Sequence, residues 1–200
     1  LPETVCAEAV RSGELEVVLP DWSLPQGICH AVFASRRGLL PAVRVFIDFL
    51  AEQIRTKAAR RVYWAIVHGN IREESGTIKG AIGRSAKDRK CMAIVPGGKP
   101  AVTHFRVLER FGDYTLVECR LETGRTHQIR VHMSAIGHPC VADPLYGADP
   151  VLAARLGLQR QWLHAVRLGF IHPGSGEYVT FSSEPSPDLL SALRLLRAES

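Results

Sequence analysis

Val43, Phe46, Ile47 and Leu50 recur at the i, i+3, i+4, i+7 spacing of one helical face, just after the Gly38–Pro41 turn. The spacing predicts a helix with a core-facing stripe. Further on the period changes. Val62-Tyr63-Trp64-Ala65-Ile66-Val67 is a run of β-branched and aromatic residues closed by Gly69, which predicts a strand. Strand-like segments follow at 91–95, 101–111 and 114–122. In the last of these Val117, Cys119 and Leu121 alternate with Glu118, Arg120 and Glu122, the pattern of an antiparallel strand with one solvated face. Gly112-Asp113 predicts a hairpin between the last two segments, and His172-Pro173-Gly174-Ser175-Gly176 predicts another between 164–171 and 178–182. Upstream, 14–19 and 28–35 read as short strands on either side of a Pro- and Gly-bearing loop at 20–27. A closing helix is expected over 185–197, with Leu189, Leu193 and Leu196 on one face. The fold class this predicts is α+β: a mixed, mostly antiparallel sheet with a few helices.

A length of 200 residues holds one compact domain, or one domain and a fragment. A hydrophobic share of 46% against 22% charged residues excludes disorder as the main state. No apolar run reaches the ~18 residues of a membrane span. The stretch from Val43 to Leu50 is interrupted by Arg44 and Asp48. Leu1-Pro2-Glu3-Thr4 lacks the basic start and apolar core of an export signal, so the expected location is the cytoplasm, with no membrane partner. Cys6, Cys29, Cys91, Cys119 and Cys140 are odd in number, widely spaced and free of any CxxC, which argues against a disulfide framework or a structural zinc site. Charge divides the chain. Residues 1–53 carry four Lys/Arg and seven Asp/Glu, net −3, whereas residues 54–200 carry 21 and 13, net +8. A basic run, Arg55, Lys57, Arg60 and Arg61, opens the second part, which is the part to suspect of meeting a polyanion.

The densest polar signal runs from Leu121 to Met133, where a strand leads through Thr123-Gly124 into a helix. At ~100° per residue, His127, Arg130 and Ser134 share one helical face, and Ile129, Met133 and Ile136 share the opposite, apolar one. Polar groups at a helix N-terminus favour an anion such as a phosphate or carboxylate. His127 and His132 are five apart and do not share a face, which excludes the zinc-helix spacing. There is no Gly-x-Ser-x-Gly elbow and no phosphate-binding Gly-x-x-x-x-Gly-Lys-Ser/Thr loop. Neither a metal nor a cofactor is expected.

From about residue 57 to 198 the chain resembles the C-terminal part of the RluA family of RNA pseudouridine synthases. The matching motifs come in family order: Val62-Tyr63-Trp64-Ala65-Ile66-Val67-His68-Gly69, Gly97 to Phe105, Leu121 to His132, Gly137 to Gly147, Leu163-His164-Ala165 and His172-Pro173. Ala142 departs from the pattern, since the family usually has Gly there. Residues 1–53 resemble the end of a LysR-type regulator's effector-binding domain, on Leu15–Leu19, Pro20-Asp21-Trp22, His30–Arg37 and Val43–Leu50. The two resemblances imply a LysR-like C-terminal fragment over 1–53 and a synthase-like domain over 54–200. The fold implied is an incomplete pseudouridine synthase sheet preceded by a small α/β fragment.

The synthase resemblance implies an isomerase that needs no cofactor and acts on structured rRNA or tRNA, with its target uridine flipped out of the stack. It implies that Tyr63 packs against the target base. It also implies that Arg130 pairs with a catalytic Asp, and that Arg125, Thr126, His127 and Gln128 line the RNA side. In the family that Asp sits in an Arg-Leu-Asp motif, which this chain lacks. Asp21 follows Pro, Asp48 follows Ile, and Asp143 matches a different family Asp that ends a turn after the helix. The expectation is half a site: no turnover, and an Arg130 charge free to hold a phosphate. Two alternatives remain, a non-enzymatic RNA-binding remnant and a LysR-type effector-binding fragment. The second is disfavoured because an effector cleft needs two subdomains.

Overall fold

The computed structural model describes residues 41–55, 59–147 and 149–199. The strands expected at 14–19 and 28–35, and most of the LysR-like segment, lie outside the described residues. Helix α1, Pro41–Arg55, forms where the 3.6-residue period predicts it. Its apolar stripe is turned from the expected direction. Val43 and Ile47 are half-buried, but Phe46 is exposed, and it is Phe49, outside the stripe, that meets Phe170 edge-on at 6.0 Å between ring centroids.

Seven strands make one sheet: β1 Arg60–His68, β2 Ser75–Arg84, β3 Met92–Ile94, β4 Lys99–Phe111, β5 Tyr114–Leu121, β6 Leu163–Ile171 and β7 Tyr178–Ser182. Their spatial order is β3-β2-β4-β5-β1-β6-β7. Every pairing between these strands is antiparallel, so the sheet is simpler than the mixed one expected. Two hairpins fall where turn residues predict them. Gly112, at φ +54°, turns β4 into β5, and Gly176, at φ +72°, lies in the turn from β6 to β7. Helices α2, Gln128–Ala135, α3, Pro150–Arg155, and α4, Pro187–Ala198, complete the set.

β1 is an interior strand of the sheet, between β5 and β6, and is covered on both sides. Ala65 and Val67 pack with Phe105, Val107, Val117 and Cys119, and with Ile129 and Met133 of α2. Ile66, on the opposite face, packs with Leu116, with Leu152 of α3, and with Leu189, Leu193 and Leu196 of α4. The leucine face expected of the closing helix is thus the face it buries. Trp162, wholly enclosed, donates its indole N–H to the Leu189 carbonyl at 2.8 Å and ties α4 to the loop before β6.

β2 has no counterpart in the strand pattern read from the sequence. Its glycines explain why: Ser75-Gly76-Thr77-Ile78-Lys79-Gly80-Ala81-Ile82-Gly83-Arg84 has low strand propensity. They are there for close packing. A Cβ on Gly76 would come within 2.6 Å of the Phe105 ring, and one on Gly80 within 2.7 Å of Ile94. The strand gives up side chains so that bulky neighbours can lie across it.

Candidate nucleic-acid interface and active site

The turn between β5 and α2 brings together the residues singled out by the sequence. Gly124, Arg125 and Thr126 are exposed, while His127 is half-buried and holds a left-handed backbone, φ +56°. The helix therefore begins at Gln128, one residue later than a helix containing His127 would, and His127 is its cap. The His127 ring contacts Tyr146, with Nδ1 2.8 Å from the Tyr146 hydroxyl. Burial lowers the His127 pKa, and the Arg130 cation lowers it further.

Gln128 corrects one expectation. Its amide is buried and faces the sheet. Nε2 donates to the Val102 carbonyl at 2.9 Å and to Thr103 Oγ1 at 3.0 Å, and Oε1 accepts from Thr123 Oγ1 at 2.7 Å and from the Arg125 N–H at 3.0 Å. With both donors and both acceptor sites used, nothing of this amide is left for a nucleotide. Thr103 Oγ1 also lies 2.9 Å from His132 Nδ1, and His132 Nε2 lies 3.4 Å from the Gly80 carbonyl. Gln128 donates to Thr103. A consistent proton arrangement then has Thr103 donate to His132 and His132 donate to Gly80, with a neutral imidazole. Burial lowers the His132 pKa, in keeping with that neutral form. The chain of bonds pins α2 to the turn after β5, to β4 and to β2.

Arg130 corrects a second. It is buried rather than presented with His127 on an open face, and Asp143 takes its charge. Nε donates to Oδ2 at 2.7 Å and Nη2 to Oδ1 at 2.6 Å, a two-pronged pair with the Asp143 side chain fully enclosed. Asp143 Oδ1 also accepts the Leu145 and Tyr146 N–H groups at 3.0 and 3.2 Å. The guanidinium lies over the Tyr146 ring, 4.8 Å from its centroid. Burial would lower the Arg130 pKa, but the hydrogen bonds and charge of Asp143 outweigh it and leave the pKa raised. The neighbouring thiols are held protonated: burial pushes Cys119 up to about 12, and it raises Cys140 as well.

Tyr146 is the residue the sequence reading passed over. Its hydroxyl contacts His127 and accepts the Met92 N–H at 2.9 Å, and its ring carries Arg130. A signal was available, since it ends the Asp143-Pro144-Leu145-Tyr146 run that follows the helix. Tyr63 lies half-buried on β1, paired with Cys119 and Ala165, beside a break in register between Val62 and Tyr63. It packs against the cluster that holds Ile129 and Met133, so Tyr63 and α2 share one face of the sheet.

Fold and site together define an α+β domain in which a Thr-Gly-Arg turn and a buried basic helix stand over one face of an antiparallel sheet. Residues 44–135 match the model of the RNA pseudouridylate synthase family. The match begins within α1, upstream of the boundary expected at 53/54. An RNA pseudouridine synthase of Bacillus subtilis, YlyB, is 47% identical over 173 residues, covering 86% of this chain and 56% of that protein. The ribosomal large subunit pseudouridine synthase D of Nitrosomonas europaea is 46% identical, over 84% of this chain and 50% of its own length. Among solved structures, human RNA pseudouridylate synthase domain containing 1 superposes with a TM-score of 0.63 at 32% identity, over 77% of this chain and 65% of that one. The chain spans about half the length of the bacterial relatives.

Proposed function

We propose that this chain is the RNA-engaging C-terminal part of an RluA-type pseudouridine synthase domain, and that by itself it binds RNA without turnover. The family reaction breaks the N-glycosidic bond of a flipped uridine, turns the uracil, and rejoins it through C5, which gives up its proton. In this reading Tyr63 packs against the base, and Arg125, Thr126 and His127 face the RNA.

The observation that carries the inactive reading is that these 200 residues hold no Arg-Leu-Asp, while Arg130 already pairs with Asp143. The cation that the resemblance assigns to the catalytic Asp is already neutralised from within the chain. Asp143 is a poor substitute nucleophile, because its oxygens are enclosed and engaged by Arg130 and by two backbone N–H groups.

The test uses RNA labelled with tritium at uridine C5, because isomerisation must release that hydrogen. The expected outcome is salt-sensitive RNA binding with no tritium release, a loss of ~10⁴-fold or more against a complete synthase. Robust release that disappears in Asp143→Ala would overturn the inactive reading and make Asp143 the nucleophile.

A further inference from the structure

Arg61 is the second residue of β1, and strand alternation puts it on the same face as Tyr63 and Ala65, the face that α2 covers. Its guanidinium runs toward the Thr123-Gly124-Arg125 turn. Any side chain at Gly124 would collide with Arg61 Nη1, so glycine keeps the turn open to that nitrogen. Nε and Nη2 are enclosed and have no hydrogen-bond partner. Burial lowers the Arg61 pKa, and the nearby Tyr63 works in the opposite direction.

Other arginines of the fold are treated differently. Arg130 meets Asp143, Arg110 meets Glu74, Arg160 meets Asp188 and Arg197 meets Glu109, each at 3.0 Å or less. Arg61 has no carboxylate within reach among the described residues. An arginine stays charged in a protein, and an enclosed cation without a counter-charge costs stability.

We infer that Arg61 is a phosphate-receiving residue of the RNA interface, taking a backbone phosphate next to the nucleotide that packs on Tyr63. This rests on the RNA-binding reading proposed above. Phosphate is the fitting anion because it is the repeating charge of an RNA backbone and can take a charge-assisted hydrogen bond from Nη1, the nitrogen directed at the turn. The turn that Arg61 touches also carries the exposed Arg125, whose Nε donates to the Pro100 carbonyl at 3.1 Å.

The experiment measures binding of the full chain to a fluorescein-labelled, uridine-containing stem-loop RNA over a series of KCl concentrations, with melting temperature recorded alongside. Arg61→Gln is expected to weaken binding about tenfold at low salt. It should also reduce the slope of log K against log salt by ~1, as loss of one phosphate contact requires. Because the cation lacks a counter-charge, Arg61→Gln and Arg61→Met should melt no lower than the parent, and Arg61→Lys should restore the slope. If the parent binds with a steep salt slope and Arg61→Gln binds identically, the inference is overturned and the RNA-binding reading stands. If the parent does not bind RNA, both fall. If the neutral variants melt lower while RNA binding is unchanged, Arg61 is a structural cation neutralised by a protein carboxylate, and the inference is again overturned.

Discussion

Ala142 holds φ +58°, a left-handed backbone that costs an L-residue ~1–2 kcal/mol. This gives a physical meaning to the one position noted as departing from the family's usual Gly. Ala142→Gly removes that strain. It also deletes a buried methyl worth ~0.8 kcal/mol and loosens the unfolded chain by ~0.4–1 kcal/mol. The opposing terms nearly cancel, so urea unfolding should place Ala142→Gly within about 1 kcal/mol of the parent. A gain of several kcal/mol would mean that the strain has been underrated. His127 bears a comparable φ, but its side chain meets the Tyr146 hydroxyl at 2.8 Å. The sequence announced neither left-handed residue, because neither is Gly, Asn or Asp.

At the scale of the element, α2 shows what periodicity can and cannot read. Ile129 and Met133 are buried as the apolar face predicts, but Gln128, Arg130 and His132 are buried as well, and Ile136 is exposed beyond the last turn. A hydrophobicity pattern cannot tell a polar residue in water from one whose hydrogen bonds are met inside, and here three polar side chains are of the second kind. β2 escaped notice for the converse reason: its glycines suit close packing and leave no alternation to count. Asp143→Asn should show how strongly α2 depends on its charge pair. The variant keeps the shape and leaves Arg130 enclosed without its counter-charge, a loss of ~3–5 kcal/mol in urea unfolding. Replacing both partners, Arg130→Met with Asp143→Leu, should recover most of that loss. A cost below 1 kcal/mol for Asp143→Asn would show that water reaches the pair.

For the molecule as a whole, the histidines set the response to acid. Burial lowers the pKa of His68, His127, His132 and His164 from the usual 6.5. Each therefore binds its proton more readily in the unfolded chain. Between the folded and unfolded pKa values the unfolded state carries the extra proton, so stability rises with pH there. The stabilisation is complete above pH ~6.5 and is lost as pH falls below it, at up to about 1.4 kcal/mol per pH unit for each histidine. Thermal melts at pH 7.5, 6.5 and 5.5 should show little change over the first step and a clear drop over the second. A flat profile would mean that these rings are already protonated or are freely hydrated. Six of the seven strands, the two hairpins and the leucine face of the closing helix were legible in the sequence. The Arg130–Asp143 pair was not, because nothing in the spacing shows that the turn after α2 folds back beneath the helix.

The place of β1 has a consequence for the birth of the protein. It is the first strand of the described chain to leave the ribosome, and it lies between β5 and β6, pairing Trp64 with both Glu118 and His164. Until those later strands are made, the apolar run Val62–Val67 has neither neighbour. Strands β2, β4 and β5 can assemble as they emerge, but β1 must wait for β5 on one side and for β6 on the other. For that interval the nascent chain exposes its most adhesive segment, and its yield in the cell depends on how well that segment is shielded while the rest is synthesised.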